Sequence, residues 1–317
     1  MLMSDNIRNT VEKLAEKYGV QSLKKASDAL TATYASNKSD GARLVTTPEQ
    51  AAVYAIVRMP ATYAAVCSAL SHSVSDNTDG FSTMLDVGAG TGAAYFAANN
   101  ILGISHADLL EREPAMISVA KTLCSAESLD AEFIKSDVCV FEPVKKYDLV
   151  TASYALNETD KTTCEKILDK LFLCTKKLLV IIEPGTPAAF ALQKEIRDHL
   201  KSKGATLIAP CPENAVCRLS ENDWCHFTCR VPRSKLHKLV KGGDVPYEDE
   251  KFTYSAFCLD GSISPCRSRI LRHPLIEKGK ITLSLCSEDG ICSRTIYKSD
   301  KDLYKAARKS AAGDSLL

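Results

Sequence analysis

Three alternating glycines at the end of an apolar run constrain this chain more than any other feature. Met84-Leu85-Asp86-Val87-Gly88-Ala89-Gly90-Thr91-Gly92 reads as a buried strand that stops at a sharp turn and passes into a helix. Gly88 and Gly90 admit positive φ and carry no Cβ, so the backbone can approach a flat ligand at the start of the helix. The loop alone is ambiguous. Gly88-x-Gly90-x-x-Ala93 also satisfies the dinucleotide fingerprint, which would make the chain a nicotinamide-linked oxidoreductase.

The strands that follow narrow the choice. Residues 104–113 form the next candidate strand, ending in Glu111 about 20 residues beyond the loop, where ribose recognition needs a carboxylate. Residues 131–137 end in Asp137, at the level of an adenine edge, and residues 147–154 run Tyr-Asp-Leu-Val-Thr-Ala-Ser-Tyr. A further strand, 178–183, leads into Pro184-Gly185. Helical stretches at 94–100, 114–124, 160–175 and 188–202 separate these strands, which is the pattern of a doubly wound parallel sheet. Ligands of such sheets collect at the carboxyl ends of the strands, where Gly88, Glu111, Asp137, Ser153 and Glu183 fall. This succession resembles the class I, Rossmann-like S-adenosylmethionine-dependent methyltransferases. The resemblance implies that Asp86, Gly88, Gly90 and Gly92 surround the methionine and ribose end of the donor, that Glu111 holds the ribose hydroxyls, and that Asp137 approaches the adenine; Ser153 is counted with them as a cofactor-binding residue.

With 317 residues the chain has room for two or three units, and the order of its patterns suggests 1–80, 81–204 and 205–317. The first is a helical cap: Ile7, Val11, Leu14, Ala15 and Tyr18 share one helical face, and Leu23, Ala26, Leu30 and Tyr34 another. Thr47-Pro48 then opens a helix that Pro60 interrupts, and the polar run 72–80 reads as a linker carrying a solvated His72. No apolar run reaches the roughly 18 residues of a membrane span. The first residues, Met-Leu-Met-Ser-Asp-Asn, show neither a secretory pattern nor an Arg- and Ser-rich, acid-poor import leader, so a cytoplasmic location is expected.

Thirteen cysteines in a reducing compartment call for a reason other than disulfides. Cys67, Cys124, Cys139, Cys164 and Cys174 lie in apolar periodic stretches and read as small core hydrophobes. Cys211, Cys217, Cys225 and Cys229 are different, because they share a short, turn-rich stretch that cannot bury much apolar area by itself. Thiolates suit zinc or an iron–sulfur cluster, and metal binding would order such a segment. The spacing matches neither zinc-ribbon pairs nor the ferredoxin run. From residue 201 onward there are 20 Lys and Arg against 14 Asp and Glu, a balance of +6, which leaves −5 for the first 200 residues. The basic run Arg230-Val-Pro-Arg233-Ser-Lys235-Leu-His237-Lys238-Leu-Val-Lys241 reads as a helix suited to phosphates. Residues 281–298 alternate around Asp289-Gly290 as a hairpin, before a short basic helix at 302–310.

Several segments carry a second resemblance: Cys211-Pro212-x4-Cys217, Asp223-Trp224-Cys225-His226-Phe227, Tyr247-Glu248-Asp249-Glu250-Lys251-Phe252-x-Tyr254, and Arg269-Ile270 through Leu285-Cys286-x-x-Asp289-Gly290. With Arg58-Met59-Pro60 and the glycine loop, they are similar to the methyltransferase-like proteins of the mitochondrial small ribosomal subunit and their bacterial relatives. That family implies a [4Fe–4S] cluster on Cys211, Cys217, Cys225 and Cys286, with zinc as the alternative occupant and Cys229 and Cys266 as competitors for the fourth place. Many relatives place a histidine after Cys-Pro where this chain has Glu213. The expected function is a monomeric, S-adenosylmethionine-binding factor that contacts the rRNA and proteins of the small ribosomal subunit and assists its assembly and translation, with rRNA methylation as an added activity. The alternative is an active rRNA or small-molecule methyltransferase with a purely structural cluster. Ser153-Tyr154-Ala155-Leu156 stands where base methyltransferases often carry an Asn/Asp-Pro-Pro-aromatic tetrad, so no catalytic residue is named.

Overall fold

The computed structural model describes residues 2–35, 45–74, 78–157, 159–212 and 217–315. Four helices come first: α1 (Asp5–Tyr18), α2 (Val20–Ala35), α3 (Pro48–Val57) and α4 (Met59–Val74). Thr47 caps α3 in a full capping box with Gln50, and Pro48 occupies the first turn, where its missing N–H costs nothing. The helix α4 continues to Val74, so His72 is not in a linker: it is largely buried, and its carbonyl accepts a hydrogen bond from Arg269 (3.0 Å). Among the described residues no single helix is long and apolar enough to cross a membrane; α3 and α4 meet that test only as a pair bent by 49°. Both contribute mainly buried residues to the core.

The main sheet follows the expected alternation through β1 (Thr83–Val87), α5 (Ala93–Leu102), β2 (His106–Glu111), α6 (Pro114–Ala126), β3 (Asp130–Lys135), β4 (Tyr147–Ser153), α7 (Lys161–Cys174), β5 (Thr175–Pro184), α8 (Pro187–Ser202) and β6 (Thr206–Ala209). Strands β3, β2, β1, β4 and β5 lie side by side in that order and are parallel. Period-two alternation gives the sheet its two cores. Met84, Leu149, Leu178, Val180 and Ile182 face one side, with α3, α4 and α5, while Leu85, Val87, Val150, Ala152, Leu179 and Ile181 face the other, with α7 and α8.

Beyond residue 204 the chain returns to this sheet. β7 (Phe227–Pro232), α9 (Lys235–Lys241) and β8 (Tyr247–Cys258) come next, and β8 lies antiparallel between β5 and β6. One edge of β8 pairs with β5 over residues 252–258. Its other edge pairs first with β7, over residues 247–252, and then with β6, over 256–258. Residues 253–255 therefore face a gap between β6 and β7. The result is a Rossmann-like α/β fold with a mixed sheet.

A second, antiparallel sheet holds β9 (Ser268–Ile270), β10 (Leu275–Glu277), β11 (Lys280–Ser287) and β12 (Gly290–Tyr297), with α10 (Lys301–Lys309) packed on it. Ile270, Ile281, Leu283, Leu285, Ile296 and Ala307 form its separate small core.

Candidate functional site

The glycine loop links β1 to α5 at the carboxyl edge of the parallel strands. Gly88, Gly90 and Gly92 all have positive φ (71°, 56° and 88°), and a Cβ at Gly88 would stand 3.0 Å from that of Ala155. The loop is tied to β2: Gly88 and Ala89 donate to the carbonyl of Leu110 (2.9 and 3.0 Å), and Gly90 donates to Glu111 Oε2 (2.8 Å). The other oxygen of Glu111 accepts from the Glu113 backbone (2.8 Å). Burial pushes the Glu111 pKa up, against those backbone donors.

Gly88, Gly90, Glu111, Asp137 and Ser153 line one open cavity of about 730 Å³, within the range of small-molecule and cofactor sites. Asp86 and Gly92 are not part of its lining. Asp86 is buried and accepts from Thr151 Oγ1 on β4 (2.6 Å), and Gly92 begins α5. Asp137 is already engaged, with Arg112 Nη1 (3.1 Å) and the Cys139 N–H (2.9 Å), which hold its pKa below the usual range despite partial burial. Ser153 Oγ is buried with no protein partner.

The same cavity contains residues that sequence reasoning did not assign to it: Tyr54, Arg112, Met116 and Tyr154. Tyr54 comes from α3, in the helical segment that read as a cap, and no local signal connects it to the loop. Tyr154 had a signal in its position after β4. It adopts φ 57°, unusual for a bulky residue, and its hydroxyl donates to Glu250 Oε1 on β8 (2.9 Å). Tyr54, Tyr154 and Asn157 also border an adjoining cavity of about 410 Å³, with Arg58 and Lys241 on its far wall.

Asp86 has a measurable consequence. Burial, reinforced by the Glu111 carboxylate and opposed by the Thr151 hydroxyl, raises its pKa to about 7 from an ordinary 3.8. The folded value lies above the unfolded one, so the stability linked to this proton is full below about pH 4 and is lost as pH rises through 7. A shift of about three units corresponds to something on the order of 4 kcal/mol. Asp86→Asn keeps an acceptor for Thr151. In thermal unfolding of the ligand-free protein it is expected to flatten the decline between about pH 4 and 7 and to exceed the parent in stability at pH 8. The same slope in both proteins would show that Asp86 does not titrate in this window.

The four cysteines Cys211, Cys217, Cys225 and Cys286 line a second, small enclosed cavity together with Arg197, Tyr254 and Ser255. Three come from loops around β6 and β7, and Cys286 comes from β11 of the second sheet, across from Arg269 on β9. Of the two competitors, Cys229 is turned away, its sulfur 3.9 Å from the carbonyl of Glu250. Cys266 stays close enough to act on Cys211 and Cys286 electrostatically. Burial pushes the thiols of Cys211, Cys225 and Cys286 up, the last to about 12. Among the described residues no three cysteine sulfurs lie within 4.8 Å of one another. The segment 213–216, including Glu213, lies outside the described residues.

Trp224 anchors the cysteine loop by donating from Nε1 to the Gly185 carbonyl (3.0 Å) at the end of β5. The basic run that follows is not one helix. Arg230 lies on β7 and is paired with Asp249 (2.8 Å), while Arg233 and Lys241 both reach Glu248 (3.1 and 3.4 Å). Only 235–241 is helical, and it leaves Lys235 and Lys238 on the surface without an ion pair among the described residues. The acidic start of β8 thus neutralises much of the positive patch.

The human protein "Ribosome assembly protein METTL17, mitochondrial" is 26% identical over 288 residues, which are 83% of this chain and 62% of that protein. The chain thus spans about three fifths of the length of that relative. Two solved structures overlap it at low similarity. A putative RNA methyltransferase, PH1948 from Pyrococcus horikoshii, has 17% identity and a TM-score of 0.40, covering 62% of this chain and 81% of its own. The N-methyltransferase NodS from Bradyrhizobium japonicum, in complex with S-adenosyl-l-homocysteine, has 13% identity and a TM-score of 0.39, covering 62% and 85%. Residues 48–317 match the family described as "Mitochondrial small ribosomal subunit Rsm22", and over that span, from the capping box of α3 to the last residue, this chain belongs to the Rsm22 family.

Proposed function

We propose that this chain is an assembly factor of the small ribosomal subunit that holds S-adenosylmethionine in the glycine-loop cleft and a [4Fe–4S] cluster in the four-cysteine cavity, and that contacts rRNA. The observation that carries the reading is the convergence on one cavity of three cysteines from a single loop region and a fourth, Cys286, from the second sheet, in a chain that also has a nucleoside-sized cleft at its glycine loop. For the donor, Glu111 supplies carboxylate oxygens toward the ribose, the glycines leave room for the methionine end, and Ser153 offers an unpartnered hydroxyl. The donor supplies an electrophilic methyl group when bound; the chain's residues orient it and shield it from water.

The four cysteines suit a cluster, with zinc as the alternative occupant. A tetrahedral zinc at about 2.3 Å from each sulfur would draw all four within roughly 4 Å of one another. Among the described residues no three of these sulfurs lie within 4.8 Å of one another, so a zinc ion would require them to draw closer. The assembly role rests on family membership and on the name of the human relative. Lys235 and Lys238 are the part of the basic run best placed for phosphate contact. The cytoplasmic location remains part of the proposal, set beside a relative whose name is mitochondrial, and fractionation of the host cell decides it.

Anaerobic purification with iron, sulfide and zinc analysis, calorimetry with S-adenosylhomocysteine, and sedimentation with small-subunit particles from the host cell test the proposal. About four irons per chain are expected, with one donor site and co-migration with precursor small subunits. A colourless protein with one zinc overturns the cluster. Exclusion from small-subunit fractions overturns the assembly role.

A second reading, an active methyltransferase with a structural cluster, is favoured by the adjoining cavity, which shares Tyr54, Tyr154 and Asn157 with the donor cleft and offers an acceptor a place. Single-turnover transfer from labelled donor to naked or subunit-bound rRNA would establish it.

A further inference from the structure

Arg197 lies on α8 and is only 8% exposed, yet among the described residues it has no carboxylate within ion-pair distance. Its Nε is buried with no protein partner. A guanidinium held out of water without a counter-charge is costly, so its place in the fold needs an anion. The side chain lines the four-cysteine cavity, and its charge acts directly on Cys211 and Cys286. Two more buried donors without protein partners, Tyr254 Oη and Ser255 Oγ, line the same cavity from the stretch of β8 that faces the gap between β6 and β7.

The neighbouring cations are differently engaged. Arg269 is also buried, but it spends its N–H groups on the carbonyls of Pro210, Gly313 and His72. Arg272 is paired with Asp223 (2.6 Å), and Arg218 reaches the Asp289 carbonyl (3.3 Å). The groups that share this cavity with Arg197 and could carry negative charge beside it are the four cysteines, as metal-bound thiolates.

We infer that Arg197, with the hydroxyls of Tyr254 and Ser255, forms an outer donor set around an anionic metal–thiolate centre, balancing its charge and setting its reduction potential. This rests on the cluster reading above. Hydrogen bonds and positive charge near the sulfurs favour the reduced, more negative state, so removing them lowers the potential.

The test uses the full chain, purified and reconstituted anaerobically, as parent, Arg197→Met, Arg197→Lys and Tyr254→Phe. Tyr254→Phe keeps the ring in its packing with Phe227 and Phe252, so it reports on the hydroxyl even if Arg197→Met fails to fold. Iron content is measured first, then the potential, by dye-mediated reduction followed by electron paramagnetic resonance. Arg197→Met and Tyr254→Phe are expected to shift the one-electron equilibrium toward the oxidised cluster by about tenfold or more, which is about 59 mV, and Arg197→Lys by less. Potentials equal to the parent's in all three variants overturn the donor set while leaving the cluster standing. A parent with zinc in place of iron overturns the cluster reading, and the donor set is then read from zinc release to a chelator: faster in Arg197→Met and Tyr254→Phe supports it, equal rates overturn it. A parent that binds neither metal overturns both.

Discussion

Replacing Cys225 with serine is expected to reduce iron from about four atoms per chain to under about one, and to lower the unfolding midpoint by roughly 6–8 °C, as a loss on the order of 4–5 kcal/mol does in a chain of this size. Cys225 is the most enclosed of the four sulfurs' owners, 8% exposed, and sits one residue after Trp224, whose indole fastens the loop to Gly185. The loop around it has few apolar residues of its own, so its order depends on what the sulfurs hold. Cys229→Ser is the matched control. That sulfur faces the Glu250 carbonyl, and its replacement is expected to leave the iron content unchanged. Metal analysis and calorimetry of the two variants side by side check this, and equal iron in both would remove Cys225 from the ligand set.

The second large effect falls on the other pocket. Glu111→Ala is expected to weaken S-adenosylhomocysteine binding by on the order of a hundredfold, because charge-assisted hydrogen bonds contribute about 1.5–3 kcal/mol each and every 1.4 kcal/mol is a factor of ten. Part of the loss comes through the protein, since Glu111 also receives the N–H of Gly90 and so holds the loop in its ligand-ready shape. Glu111→Gln keeps one acceptor oxygen and is expected to fall between parent and alanine. Isothermal titration of the three proteins decides the matter. A change under about twofold in the alanine variant would mean that the ribose is held elsewhere.

The β1–glycine–α5 unit was legible because its signals are local: an apolar run, a turn that needs positive φ, and a helix start, all within twelve residues. The parallel strands and their helices were legible for the same reason, through period-two and helical patterns. Strand β8 was not. Its first half is an unbroken charged run, Glu248 to Lys251, and its buried half pairs with β5, some seventy positions earlier in the chain. Nothing local says that it will sit between β5 and β6. The basic run was misread as a single free helix for a related reason, since its neutralising acids lie on that same strand. The convergence of Tyr54, Arg197 and Cys286 on the two pockets is tertiary in origin. Each reads locally as an ordinary helix or strand residue.

The position of β8 also bears on the order in which the chain can be built. β5 and β6 are separated in space by a strand made later than both, so this part of the sheet cannot reach its final order until β8 has been made. Until residue 258 is available, the inner edge of β5 offers bare amide and carbonyl groups, an adhesive surface of the kind that recruits foreign strands. The newborn chain therefore passes through an interval in which its largest sheet is open on one side, and the closing of that seam is also the event that brings residues 253–255 up against the cysteines.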